Sequence, residues 1–392
     1  MRIGIDATCW ENRRGFGRFT RELLQAMWRL HPEHRFVLFS DAPLPSAASA
    51  ANVEVVVTNP SQLVTSAAVA SSHRRVADML AFTRAAARIP MDVMFFPAVY
   101  SWFPVLPRQP VVVTLHDAIA EHFPELVMPH WRGRLFWALK MRLARWQSNR
   151  FITVSGAARD EIVAHLGIPA ERIDVISEAP DRKFRPVTDA ASRQAARERA
   201  GLPLSVPYLI YVGGFAPHKN LKGLLAALAA ASDDSTGPLH LALVGDPGGA
   251  GFHSNTSELE AFAREHPALD GRVHFTGFVA DEDLVALYSD ALAGVMPSFS
   301  EGFGLPAIEA MACGTPVLAS DAGSLPEVVG ETGLLFDPWS VASMAEQIRR
   351  IAGDPALRAT LARRALDRAA EFTWDNAARL AMASLEKAAA RV

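Results

Sequence analysis

Short apolar runs recur along the first 180 residues, with helical stretches between them. Residues 2–7, 35–40, 52–58, 92–96, 111–115 and 151–154 read as strands, and 19–30, 74–88 and 131–149 as helices. Strands that are apolar throughout, instead of alternating, are covered on both faces, and their alternation with helices predicts a parallel sheet. The Ala/Arg-rich stretch 185–207, set between prolines, reads as a connection. Beyond it the same logic returns, with strands expected at 208–212, 239–244, 272–276, 293–296 and 317–319. The pattern predicts an α/β chain of two Rossmann-like halves in tandem, 1–185 and 186–374, facing across a cleft. An alanine-rich tail helix follows Thr373-Trp374. In such sheets ligands bind beyond the carboxyl ends of the strands. The residues that directly follow strand ends are therefore the ones to question.

Composition narrows the choice only slightly. The formal net charge is −3, but 20 of the 39 Lys+Arg and 16 of the 42 Asp+Glu fall in the first 180 residues, so the first half is net basic. That half is the better candidate for an anionic acceptor or membrane surface, and nucleic acid is not an expected partner. Cys9 and Cys313 are far apart and lack metal-ligand spacing, which argues against a disulfide framework. A strand beginning at Arg2 leaves no room for a leader segment, and no apolar run is long enough to span a bilayer. A cytoplasmic protein, peripheral at a membrane at most, is expected.

The most informative stretch is 297–320, PSFSEGFGLPAIEAMACGTPVLAS. Glu301 and Glu309 bracket a turn containing Gly302 and Gly304. Pro306 suits the first turn of a helix over 308–313, Gly314 suits its C-terminal cap, and a buried strand follows. Free N–H groups at that helix start form an anion site, and glycine lets a ligand approach the backbone closely. A molecule with phosphate in its middle and hydroxyl-rich ends, such as a nucleotide sugar, fits these parts. A plain turn and a favourable first-turn acid would account for either carboxylate alone, but not for the whole constellation.

The string E-G-F-G-L-P-x-x-E-A-M-A-C-G-x-P-V resembles the E-x7-E signature of the retaining glycosyltransferases of family 4. Gly15-Phe16-Gly17-Arg18, T-L-H-D at 114–117, F-I-T-V-S at 151–155 and H-K-N at 218–220 extend the likeness. The resemblance implies the GT-B fold, with the last helix (375–392) crossing back to the first domain and the second domain holding the donor. It implies that Glu309 takes ribose hydroxyls and that Glu301 and His116 grip the transferred sugar. Lys219, with the backbone of Gly302, Phe303, Gly304 and Leu305, would hold the diphosphate. Gly17 would face the donor phosphates, and the segment at Val279 the nucleobase. Gly214 stands where relatives carry an arginine, so one cation of a two-cation clamp is missing.

Other readings stay bland. Gly15–Gly17 lacks a third glycine and equally suits an ordinary strand–helix turn. The 244–249 loop resembles one that lines the nucleotide pocket. Asp281-Glu282-Asp283 spells D-x-D but opens a helix at 284–289, where acids serve as cap and first-turn charges. It is not read as a metal site. The 131–150 segment interleaves basic and aromatic residues. A core helix with a solvated basic face is expected there, and a membrane-interface helix is the alternative.

The expected activity is metal-independent, retaining transfer of a hexose from a nucleotide-diphosphate sugar, GDP-mannose or a UDP-hexose, to a hydroxyl acceptor, with no cofactor. A GT-B phosphorylase, a nucleotide-sugar epimerase or a catalytically silent nucleotide-sugar-binding subunit are the alternatives.

Overall fold

The computed structural model describes residues 1–12, 15–58, 76–106, 109–128, 130–231, 239–245 and 255–390. The chain divides into two compact units, Met1–Glu178 with Thr373–Val392, and Ala179–Phe372. Against the expected limits, the first break falls earlier, after Glu178.

The first unit carries a seven-stranded, all-parallel sheet. Its strands are β1 (Arg2–Asp6), β2 (Arg35–Ser40), β3 (Val53–Val57), β4 (Val93–Phe96), β5 (Val111–Thr114), β6 (Arg150–Thr153) and β7 (Ile173–Val175), in the order β3-β2-β1-β4-β5-β6-β7. β4, β5 and β6 are buried at every position, as continuous apolar runs require. Phe82, Phe96, Phe103, Val113 and Phe151 form the centre of one core, each large side chain contributing about 1.5–3 kcal/mol. Ser155 caps the helix Gly156–Leu166 by accepting from the Ala158 N–H at 3.0 Å, and Gly167 ends it at φ 61°.

The second unit repeats the winding with β8 (Tyr208–Val212), β9 (His240–Val244), β10 (Val273–Gly277), β11 (Ala293–Met296), β12 (Val317–Ser320) and β13 (Leu334–Phe336). The order is β10-β9-β8-β11-β12-β13, again parallel throughout. The direction of winding reverses between β1 and β4 in one unit and between β8 and β11 in the other. These switch points are where such sheets bind ligands.

Four expectations need correction. The edge strands β7 and β13 were not expected; at three residues each they are too short to give a pattern. The connection at 185–207 contains a helix, Ala190–Arg199, capped by Asp189. The Gly15–Arg18 stretch is not a linking loop but the first turn of the helix Gly15–Leu30. Finally, the Trp131–Gln147 helix buries Trp137, Met141, Ala144 and Gln147 and leaves Trp131, Leu135, Leu139, Leu143 and Trp146 exposed. Its outward face is therefore apolar as well as basic. None of the described helices is long and apolar enough to cross a membrane.

Candidate active site

In the second unit the two loops at the switch point meet. Past β8 the chain turns at Gly213-Gly214 and makes a 3-10 turn, Pro217–Lys219. Past β11 it runs through Pro297 to Gly304 and enters the helix Leu305–Ala312. Lys219 Nζ lies 2.7 Å from both Glu301 carboxylate oxygens, and the Ser298 hydroxyl donates to Oε1 at 2.6 Å. Burial pushes the Glu301 carboxyl up, but Lys219 and Ser298 outweigh it and hold the group below its ordinary value. The next loop, past β12, clasps the same residue: Ser324 donates its N–H and hydroxyl to the Glu301 carbonyl, at 3.3 and 3.0 Å. Gly323, at φ 60°, lies so close that a Cβ would sit 2.9 Å from the Glu301 nitrogen.

Glu301 and Lys219 were assigned separately from the sequence, one to sugar and one to phosphate. In the structure they form one ion pair. Ser298, Gly323 and Ser324 were missed, because they act on Glu301 through folding and not through a recognisable spacing. His218 was also missed. Burial, then the neighbouring Lys219 charge, drives its imidazole down to about 3, so the ring is neutral at neutral pH. Its carbonyl accepts from the Phe299 N–H at 2.9 Å, another tie between the β8 and β11 loops.

The helix that follows begins at Leu305, one residue before Pro306, which was expected at its first position. Gly304 precedes it at φ 96°, and a Cβ there would meet Leu325 Cδ2 at 2.7 Å. Glu309 lies one turn inside the helix and is 3% exposed. Gly302, Phe303 and Leu305 are buried, and the Phe303 ring packs edge-on against Phe372. The Phe303 side chain is thus a packing group. Gly314, at φ 76°, follows the helix end as expected.

Glycines also mark the ends of the next strands. Gly213 N–H donates to Val244 O, and Gly245 N–H to Gly277 O, both at 3.0 Å. A Cβ on Gly245 would lie 2.0 Å from Gly213 O, whereas one on Gly214 would meet nothing within 4 Å. Val279, half-buried, lies just past β10. Asp246 to Gly249 lie outside the described residues.

In the first unit, His116 follows β5 beside the switch point and is 8% exposed. Its Nε2 donates to Pro97 O at 3.0 Å, and Nδ1 lies 3.5 Å from Glu178 Oε1. Phe16 and Phe19 meet the ring edge-on. Glu178, also missed from the sequence, comes from just beyond β7, the unexpected strand. Gly17 is held in a tight approach, since a Cβ there would lie 1.9 Å from Asn12 O.

The D-x-D acids are engaged elsewhere. Asp283 takes two bonds from Arg199, at 2.9 and 2.5 Å, and Asp281 pairs with Lys183 at 2.7 Å. Among the described residues the one group of three His, Cys, Asp or Glu with ligand atoms close enough for a metal is His31, Glu33 and His34, in the first unit. Cys313 is buried, and burial pushes its thiol up to about 12, so it is no nucleophile.

Comparison with known proteins gives this geometry a family. A model described as "Glycosyl transferases group 1" matches residues 192–368, and one described as "Glycosyltransferase Family 4" matches 13–183. The chain is 33% identical over 266 residues to the O-antigen chain mannosyltransferase B of Escherichia coli, covering 68% of this chain and 67% of that protein. It is 27% identical over 409 residues to the serotype-specific mannosyltransferase WbdA of Escherichia coli, covering 97% of this chain and 47% of that protein. The chain thus spans about half the length of that relative. Its structure is similar to that of the Anabaena protein HepE in complex with UDP-glucose, with 21% identity, a TM-score of 0.74, and coverage of 99% of this chain and 100% of the other.

Proposed function

The chain belongs to the group 1 glycosyl transferases of family 4 and has their GT-B fold of two Rossmann-like halves, and on that premise we propose that it transfers a mannosyl group from a nucleoside-diphosphate sugar to a hydroxyl acceptor. The observation that carries this reading is the meeting of Lys219 and Glu301 beside the start of the Leu305–Ala312 helix. A cation, a carboxylate and the first turn of a helix then lie together where the second sheet changes winding. Mannose is favoured because both relatives named above are mannosyltransferases.

In the proposed arrangement Glu309 takes the ribose hydroxyls, and Lys219 with the Gly302–Leu305 backbone takes the diphosphate. Lys219 can serve phosphate while holding Glu301, since an ammonium has three donors. Glu301 accepts from the hydroxyls of the transferred sugar. For His116 the proposed role is a hydrogen bond to a sugar hydroxyl through Nδ1, whose partner at 3.5 Å is the more distant of its two. The segment at Val279, just past β10, is proposed to face the nucleobase. Transfer is proposed to proceed with retention, the leaving phosphate oxygen accepting the acceptor proton on the same face, so that no protein base is used. It is also proposed to need no metal. The pairing of Asp281 and Asp283 with Lys183 and Arg199 supports that view, because those carboxylates already have cations.

A thermal-shift panel of GDP, GDP-mannose, UDP and UDP-glucose tests the donor. A bound nucleotide at a hundred times its dissociation constant adds about 2.7 kcal/mol, and GDP-mannose should give the largest shift. Stabilisation by UDP-glucose alone would overturn the mannosyl reading, and no response to any of the four would overturn the donor site. EDTA should leave turnover intact. Loss of activity in EDTA, restored by magnesium and abolished by Asp283→Asn, would overturn the metal-free route.

A further inference from the structure

The Trp131–Gln147 helix carries an outward face that the proposed chemistry does not use. Trp131 is 63% exposed, Leu135 63%, Leu139 56%, Leu143 43% and Trp146 71%. At 100° per residue these five fall within an arc of roughly 120°, so they form one stripe along the helix and not a scatter. Arg132 and Arg142 stand within the same arc, with Arg134 and Arg145 along one side. The helix contains no acidic residue. Among the described residues, no ion pair engages any of these four arginines. Lys140, the fifth cation, is turned inward and donates to the Tyr100 carbonyl. A groove of about 680 Å³ runs along the arginine side, lined by Arg134, Met141, Arg142, Arg145 and Phe151, with Glu121 as its acid. Burial raises the Glu121 carboxyl, which also accepts from Trp137 Nε1 at 2.7 Å.

We propose that this helix lies in the headgroup layer of an anionic lipid bilayer, with its apolar stripe at the acyl boundary and its four outer arginines on lipid phosphates. Leucine and tryptophan on an outward face accompanied by arginines, with tryptophan at both ends, are the residue types that seat a helix at a lipid headgroup layer. Leucine seated among arginines does not suit pairing of two copies of this helix, since like charges would be driven together and the helix itself carries no acid to answer them. The same clash is absent at a phosphate surface, where each cation near it strengthens binding about fivefold. The proposal does not depend on the donor or the sugar, and it stands or falls apart from the mannosyl reading.

Sedimentation of the full chain with vesicles tests it. The chain should sediment with vesicles of phosphatidylglycerol and phosphatidylcholine at low salt, release at high salt, and bind pure phosphatidylcholine far more weakly. Changing Arg132, Arg134, Arg142 and Arg145 together to Gln should weaken binding by roughly a hundredfold or more. Leu135→Glu with Leu139→Glu should abolish it. Both sets are at exposed or half-exposed positions, so nucleotide-induced thermal shifts should be unchanged, which separates lost docking from lost folding. Lipids brominated in the acyl chain should quench tryptophan emission in the wild type, and less in Trp131→Ala/Trp146→Ala. Failure of the wild type to sediment with anionic vesicles would overturn the proposal. So would a concentration-dependent dimer that Leu135→Glu/Leu139→Glu dissolves, which would assign the stripe to a second copy.

Discussion

Lys219 and Glu301 have side chains 21% and 15% exposed, too buried for either charge to be indifferent to loss of the other. Removing one partner leaves a desolvated charge, which costs about 3 kcal/mol or more, whereas removing both costs far less. Lys219→Met should therefore destabilise the second unit by about 3 kcal/mol in urea titration, and adding Glu301→Gln should restore most of that stability. Transfer should not return with it, because the proposed phosphate cation is still missing, a loss worth about a hundredfold in rate. Recovery of activity in the double variant would assign the pair to folding alone. His218 offers a separate check. Its imidazole is lowered from 6.5 to about 3 by burial, so between those values the unfolded chain holds a proton that the folded chain does not. Stability should be fully present above pH 6.5 and fall as acid is added, with a slope of up to about 1.4 kcal/mol per pH unit from this group. His218→Asn should flatten that slope between pH 6.5 and 5. An unchanged slope would mean that the ring is not held neutral.

Helix starts and strand ends are the elements on which the site depends, and two glycines there make opposite predictions. Gly304 combines φ 96° with a Cβ position 2.7 Å from Leu325 Cδ2. Gly304→Ala should cost on the order of 1–3 kcal/mol through backbone strain, lower the melting temperature, and weaken nucleotide binding by tilting the first turn of the helix. Gly214 faces open space and has no positive φ. Gly214→Arg, which restores the family residue, should leave the melting temperature unchanged and tighten nucleotide diphosphate binding. A lowered melting temperature would mean that the loop cannot hold a side chain there. This contrast also marks what was legible in the sequence. The long apolar strands and the Leu305–Ala312 helix were readable because each is a continuous pattern with its own stop signals. β7 and β13 were not, since I-D-V and L-L-F are too short to carry a period and gain their pairing from neighbours. The Gly15–Arg18 turn was taken for a loop because glycine is a poor helix former. The close approach of Gly17 to Asn12, which explains the glycine, is visible only in three dimensions. For the Trp131–Gln147 helix, composition displayed both basic and apolar residues, but only the fold could say which of them lay outside.

At the scale of the whole chain, the two units differ in how they are closed. The second is one continuous stretch, Ala179–Phe372, apart from residues outside the described set. The first is interrupted by it and takes its last element from the far end of the sequence, the helix Trp374–Ala389. Thr373 caps that helix by accepting from the Asn376 N–H at 3.2 Å. It buries Ala377, Ala378, Ala381, Met382, Leu385 and Ala388, packing on the Gly15–Leu30 helix and across β4, β5 and β6. Arg29 is paired with Asp375, and Lys387 reaches Asp174 at 3.3 Å. Removing 373–392 would open a row of small side chains, a seam of close helix packing, while leaving every core residue of the second unit in place. The truncated chain 1–372 should therefore lose stability in the first unit selectively. Its melting curve should separate into two transitions, with only the upper one moved upward by the nucleotide that stabilises the full chain. The fragment 179–372 should fold and show that same nucleotide shift alone. A single transition in the truncated chain, lowered as a whole, would mean that the two units fold as one cooperative body and that the second unit cannot stand without the first.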